Sequence, residues 1–379
     1  MKKRNAKLNA LLDTIILMII FSVAIPFNCK RNPKEIKIGA ILPLTGNAAK
    51  YGTWTKEGME LAAEEINSQQ KGIRVKILFE DDGGTPQGGV NAFNKLIKVD
   101  KVSVVTGVIL SQVALALAPI AEKNKIILLS TGASSEKIKD AGDYVFRIRE
   151  SSRDHGKKAA EYALTISKQA GVIFLNAENG ISYADEFKKH YEDAGGKIVL
   201  WEKYNEGETD FRSYLSKMRE GKLKVVYIPG LVVEIAYILK QAKEMGISAT
   251  FISSVGAENP KLLEIAGEGA EGLVYTYPFF DVSLSEIDAR IKKFVDNYIK
   301  KYGHNPDFLA ANGYDGIMLL AEIIRECGYN TNAIKKKLYE TTNFPGIGGE
   351  FSFDEYGEVT KPVILKHVKN KEFQLFKVR

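Results

Sequence analysis

The sequence predicts an α/β protein of two Rossmann-like lobes, each a parallel sheet with helices on both faces, joined by a multi-crossover hinge. Three observations predict it. Short runs of β-branched and aliphatic residues alternate with amphipathic helical stretches. Gly or Asn punctuates most of the junctions. No low-complexity linker interrupts the chain, yet ten strand-like runs suit two sheets better than one.

The elements follow in order. Strands are expected over Ile36–Leu42, Val75–Phe79, Val102–Val105, Ile126–Leu129 and Tyr144–Ile148, then Val172–Leu175, Lys197–Leu200, Val225–Ile228, Thr250–Ile252 and Leu273–Thr276. Between them, Thr55–Asn67 places Met59, Ala62, Ala63 and Ile66 on one helical face. Ser111–Lys123, Gly156–Gln169, Ala184–Ala194, Phe211–Glu220, Glu234–Met245 and Ser285–Tyr302 behave alike. Crossings between lobes are expected at Arg149–Arg153, Pro278–Val282 and Gly346–Asp354. Lobe 1 is then 36–150 plus about 281–350, and lobe 2 is 151–280 plus about 351–379. Two lobes on several crossings make a hinge suited to closing on a ligand.

Ahead of the body, residues 1–28 read as a signal peptide or membrane anchor and 29–35 as a tether. Lys2, Lys3, Arg4 and Lys7 precede the apolar run Ile15–Phe27, which is short of the roughly 20 residues of a membrane span. Cys29 follows directly and is the candidate lipidation site; an uncleaved anchor and simple secretion are the alternatives. All three place the body on the outer side of the cytoplasmic membrane, periplasmic or extracellular. The net charge of +6 arises here: residues 1–34 hold seven Lys/Arg and one acid, leaving 46 basic and 46 acidic residues in the rest of the 379. A neutral body argues against nucleic-acid binding, which needs clustered cations.

Chemical motifs are mostly missing. The segment GEGAEG at 267–272 matches a dinucleotide fingerprint formally, but a helix precedes it and a strand follows, the reverse of the required order. It reads as a helix-capping turn. No P-loop, nucleophile elbow or HExxH is present, and His155, His190, His304 and His367 are scattered. His190 is expected to be solvated, and His155 and His304 to lie in polar turns. Asp81-Asp82 in EDDGGTPQGG reads as a solvated strand-end turn rather than a Ca²⁺ loop. Cys327 ends a helical stretch, and no Cys/His cluster supports zinc. No enzyme activity, metal or cofactor is expected.

Two strand ends look suited to a ligand. One is Val102–Gly107 leading to Ser111 at a helix start; the other is Ile126–Leu129 leading to Ser130-Thr131-Gly132-Ala133-Ser134. Carboxyl ends of strands are where open α/β sheets bind ligands, and helix starts offer N–H groups to anions. Helix capping by Ser111 and Ser134 explains the same residues.

Several segments together resemble the type I periplasmic solute-binding proteins, specifically the branched-chain (Leu/Ile/Val) amino acid-binding family of ABC transporters. They are IKIGAILPLTGNAAKYGTWTKEGMELAAEEIN, FEDDGGTPQGGVNAFNKLI, VVTGVILSQVALALAPIAEKNKIILLSTGAS, GETDFRSYLSKMREGKLKVVYIPG, LLEIAGEGAEGLVYTYP, NGYDGIMLLAEII and FDEYGEV. The resemblance implies a ligand between the lobes, with its carboxylate held by Ser111 and by Gly132, Ala133 and Ser134, and Tyr51 lining the pocket. It implies an importer partner, an ABC permease with its ATPase subunits, and a monomer. A sensor acting through a separate membrane partner is the alternative.

In the second lobe the sequence departs from the family. Val255 stands where the family's acid clamps the ligand ammonium, Leu231 where a Tyr assists it, and Asn179 where a pocket Tyr is usual. Burying an unpaired ammonium costs several kcal/mol, more than the roughly 0.3–2 kcal/mol returned at a helix end. The expected ligand is therefore a small carboxylate, either amino acid-like with Glu258 or Glu234 reaching in, or an aliphatic, aromatic or keto acid lacking the α-ammonium.

Overall fold

The computed structural model describes residues 34–69 and 72–376. The signal-like segment and Cys29 lie outside the described residues. The first sheet is built from β1 (Lys34–Leu42), β2 (Ile73–Asp81), β3 (Val104–Gly107), β4 (Ile127–Ser130) and β5 (Val145–Arg147), in the order β2-β1-β3-β4-β5. Every pairing in it is parallel. Three helices connect these strands: α1 (Ala49–Ser68), α2 (Pro86–Lys98) and α3 (Ser111–Asn124). On α1 the expected face, Met59, Ala62, Ala63 and Ile66, is buried.

The second sheet repeats that order. After α4 (Ser152–Leu164) come β6 (Gln169–Leu175), α5 (Glu178–Asp193), β7 (Lys197–Tyr204), α6 (Arg212–Glu220) and β8 (Val225–Tyr227). They are followed by α7 (Val232–Glu244), β9 (Thr250–Ser253), α8 (Pro260–Ala266) and β10 (Val274–Pro278). The parallel strands run β7-β6-β8-β9-β10, the same topology as lobe 1. All ten expected strands are therefore present. In this topology each sheet reverses direction beside its first strand, and the loops after the flanking strands open a crevice.

The chain then returns to lobe 1 through α9 (Ala289–Tyr302), α10 (Phe308–Cys327), α11 (Thr331–Tyr339) and the short hairpin β11 (Phe344–Gly346) with β12 (Gly349–Phe351). Helix α10 packs directly on α1. A Cβ at Gly58 would overlap the Ala310 carbonyl, and one at Gly313 the Thr55 carbonyl, so both positions need glycine for this backbone approach. The approach fixes the start of α10, and with it Asp307 and Phe308, at the sheet's carboxyl edge. A final antiparallel hairpin, β13 (Val363–Lys369) and β14 (Glu372–Leu375), extends the second sheet beside β10.

Several expectations need correction. The third crossing lies beyond Gly346–Asp354: the Thr360 N–H still donates to the Ser352 carbonyl and Lys361 to Asn312, and the chain joins the second sheet from Val363. The earlier segment is held on lobe 1, where Asp315 accepts the N–H groups of Ile347 at 2.7 Å and Gly348 at 3.0 Å. Phe353 packs edge-on to Phe146, and the Arg147 N–H donates to the Gly357 carbonyl at 3.0 Å. Asp82 is buried rather than solvated, and the glycine-rich stretch after it opens α2, with the Thr85 hydroxyl accepting the Gly88 N–H and Pro86 in the first turn. His155 is not in a turn. It is fully buried on α4, 3.0 Å from the Thr276 hydroxyl. His190 is half-buried and His304 exposed. The helix expected to run to Gln169 stops at Leu164, because Gln169 opens β6. GEGAEG is a turn: the Gly267 N–H returns to Leu263 at the end of α8, and Gly267 takes a φ of 54°. Among the described residues no helix is long and apolar enough to cross a membrane.

Candidate functional site

The two switch points face each other across one cavity of about 680 Å³ including its open mouth. From lobe 1 it is lined by Tyr51, Ser111, Gly132 and Ser134, and from lobe 2 by Asn179, Leu231 and Val255. Seven of the eight sequence-predicted ligand residues thus meet there. Ala133 does not. Its side chain is fully buried in the core behind α3, and its N–H donates to the Ser130 hydroxyl at 3.1 Å.

The turn after β4 is built around Ser111. The Ser111 Oγ accepts the N–H groups of Ser134 and Ser135, each at 3.1 Å. Those two bonds take up its lone pairs, which leaves its own O–H available as a donor on the cavity wall. Neither Ser111 nor Ser134 caps a helix. The N-cap of α3 is Leu110, whose side chain has no hydrogen-bonding group, and Ser135 caps the 3₁₀ turn over Glu136–Asp140. Helix capping therefore does not account for these two serines. Thr131 donates its N–H to Gly107 and Ala133 to Ser130. Among the described residues, the Gly132 N–H is the one in this turn without a protein acceptor.

The segment entering α3 is strained. Val108 takes a φ of 44°, a region that β-branched residues avoid. Its N–H to the Ile41 carbonyl and its carbonyl from the Ser130 hydroxyl, both 2.8 Å, hold it there. The result aims the uncapped start of α3 into the cavity. Two lobe-2 helices do the same: α5 begins after Ala177 and α7 after Leu231, neither with a capping side chain. Uncapped N-termini carry partial positive charge and free N–H groups.

Sequence reasoning missed several wall residues. The most consequential is Arg149, read only as part of a crossing. Its guanidinium is buried, donating to the Gly132 carbonyl at 2.7 Å and to the Tyr183 hydroxyl at 3.0 Å, and stacking 4.9 Å from the Phe308 ring centre. Among the described residues its Nε has no partner. Asp307, at the N-cap of α10, also lines the cavity and accepts the Ala310 N–H at 3.0 Å. Burial pushes its carboxyl up to about 7, against the pull of that bond. Burial likewise pushes the Tyr51 phenol up to about 12, so it stays protonated.

Two further acids were named as candidates to reach in. Glu258 does line the cavity, but both its oxygens are engaged: Lys366 Nζ lies 2.6 Å from Oε1, and the Tyr275 hydroxyl donates to Oε2 at 2.6 Å. Glu234 is buried on α7 and accepts the Gly207 N–H at 2.8 Å, but is not on the wall.

Cross-lobe bonds close the cavity. Glu178 at the start of α5 accepts from the Ser135 hydroxyl and from Lys137 Nζ, each at 2.8 Å. The Asn47 amide reaches Glu206 at 2.9 Å on the other rim. Among the described residues no cluster of His, Cys, Asp and Glu could hold a metal ion.

Comparison with known proteins adds four findings. A family model described as "Periplasmic binding protein" matches residues 35–372. A Leu/Ile/Val-binding protein homolog from Brucella suis biovar 1 (strain 1330) is 29% identical over 334 residues, 86% of this chain and 88% of that protein. A leucine-binding protein from Thermotoga maritima MSB8 superposes with a TM-score of 0.84 at 29% identity, covering 90% of this chain and 98% of its own. A solute-binding protein of an ABC transporter from Rhodopseudomonas palustris BisB5, in complex with 3,4-dihydroxybenzoic acid, shares the fold with a TM-score of 0.79 at 23% identity, covering 91% and 96%.

Proposed function

Since this chain belongs to the periplasmic binding protein family, we propose that it is the extracytoplasmic solute-binding component of an ABC importer, taking a small carboxylate that lacks an α-ammonium group. One observation carries the ligand class. The cavity sets the Ser111 hydroxyl, the Gly132 N–H and the buried Arg149 guanidinium on one side, while the positions that would receive an ammonium from lobe 2 are Leu231 and Val255. A carboxylate there gains charge-assisted bonds from an Arg and a hydroxyl, each about 1.5–3 kcal/mol. An ammonium meets acids that are engaged or neutral: Glu258 is bonded to Lys366, and Asp307, its carboxyl raised to about 7 by burial, is protonated below that pH.

Lobe 1 anchors the carboxylate, the lobes close by hinge motion, and Glu178 and Asn47 fasten the rim. The closed form then docks on a membrane permease whose ATPase subunits drive import. Binding is the protein's whole chemistry. The division into lobes follows the crossings: 36–150 plus about 281–362 for the first and 151–280 plus about 363–379 for the second. Residues 1–28 export the chain and Cys29, if acylated, tethers it, with Lys30, Arg31 and Lys34 beside anionic headgroups.

A second reading is an amino acid ligand, favoured by Asp307 and Glu258 on the wall and by the Leu/Ile/Val-binding relatives. A thermal-stabilisation screen separates the two. At 100 times Kd a ligand adds about 2.7 kcal/mol of stability. The proposed reading expects 4-methylpentanoate, 2-oxo-4-methylpentanoate or benzoate to stabilise the protein and leucine to do so weakly; strong stabilisation by leucine alone overturns it. Turnover of any of these compounds would overturn the assignment as a carrier.

A further inference from the structure

We propose that Lys366 is a specificity-determining positioning residue: by occupying Glu258, the acid on the cavity wall, it excludes ligands that bear an ammonium group. The inference rests on the reading of the cavity as a site for a carboxylate lacking that group.

Lys366 sits on β13, in the hairpin appended to the second sheet, and is 2% exposed, unusual for a lysine. Its Nζ bonds Glu258 Oε1 at 2.6 Å and Asp281 Oδ2 at 2.8 Å, and lies 4.7 Å from the Tyr277 ring centre. Asp281 stands at the second crossing, and its other oxygen is taken by the Ser283 N–H at 2.9 Å and the Ser283 hydroxyl. Glu258 follows β9 and is the only one of the three groups on the cavity wall. Its second oxygen is filled by the Tyr275 hydroxyl. A ligand ammonium that approached Glu258 would meet a carboxylate already bonded at both oxygens and a buried lysine just behind it. Repulsion between the two cations in a poorly solvated site opposes that approach. Without Lys366, Glu258 would be the one carboxylate on the lobe-2 wall free to accept an ammonium. The acid absent at Val255 is thus not replaced by Glu258, three residues on, because the appended hairpin neutralises it.

The test compares affinities for leucine and 4-methylpentanoate by calorimetry, in the full chain and in K366M, K366R and K366M/E258Q. The readout is the leucine-to-4-methylpentanoate affinity ratio relative to wild type. K366M is expected to raise that ratio at least tenfold, or to create leucine binding where none was measurable. K366R should restore the wild-type ratio, and K366M/E258Q should lose the gain. If K366M does not fold, D281N/K366M, which removes the repulsion between the two remaining acids, is read in its place. A lysine that merely clasps the crossings would change both affinities by one factor; that result, or an unchanged ratio, overturns the proposal. The wild-type ratio alone judges the carboxylate reading, so tight leucine binding by wild type would refute that reading without deciding how the ratio responds to Lys366.

Discussion

Replacing Ser111 with alanine tests the anchor, because the residue has two separable jobs. Its Oγ accepts the N–H groups of Ser134 and Ser135 at 3.1 Å each, and its O–H proton is left for the ligand. Alanine removes the donated, charge-assisted bond, worth about 1.5–3 kcal/mol. Affinity for 4-methylpentanoate or benzoate should fall about ten- to 150-fold. The same change leaves two buried N–H groups without their acceptor, costing about 1–3 kcal/mol of stability in the ligand-free protein unless water enters. Isothermal calorimetry reads the first effect and denaturant unfolding the second. A lowered stability with unchanged affinity would show that Ser111 only builds the turn, and would remove it from the site. Unchanged values of both would refute the hydrogen-bond geometry itself.

Three other outcomes follow from the same structure. Val255→Glu places an acid at the lobe-2 position facing the cavity, and should raise leucine affinity at least tenfold while lowering that for 4-methylpentanoate; calorimetry reads both. Asp307, with its carboxyl raised to about 7 in the folded state against 3.8 for the free group, makes folding less favourable as pH rises between about 4 and 7. Asp307→Asn retains a good N-cap and should flatten that slope in denaturant titrations. Affinity for an anionic ligand should also fall as wild type passes through pH 7, whereas an ammonium held by Asp307 would bind better there. Glu178→Ala removes two of the bonds across one rim, leaving those of Glu136 to Ser182 and Arg153, and small-angle scattering should show a larger open fraction in the absence of ligand.

The alternation of strands and helices was legible because parallel strands buried on both faces read as plain aliphatic runs, as β3 and β4 do. Helix α2 was hidden by its Gly-rich start, where Thr85 and Pro86 supply the signal that the glycines mask. Strand β13 was hidden by its polar residues Lys366, His367 and Lys369, of which Lys366 is a buried charge. In the site, Ser111, Gly132 and Ser134 could be found because they are local to strand ends. Arg149 also lies just past a strand end, that of β5, but its charge read as part of a crossing. Asp307 could not be found that way: it reaches the cavity only after the chain has returned to lobe 1, and depends on the glycine contact between α1 and α10. Ala133 shows the converse: neighbours of a site residue in sequence point away from it when the turn folds its backbone inward.

The central claim is that one cavity holds a carboxylate and has no place for an α-ammonium. Calorimetry of the wild-type protein with leucine, 2-oxo-4-methylpentanoate and 4-methylpentanoate tests it most directly, since the three share a side chain and differ at the α-carbon. One or both of the des-amino acids should bind at least tenfold more tightly than leucine. Leucine binding more tightly than both would contradict it.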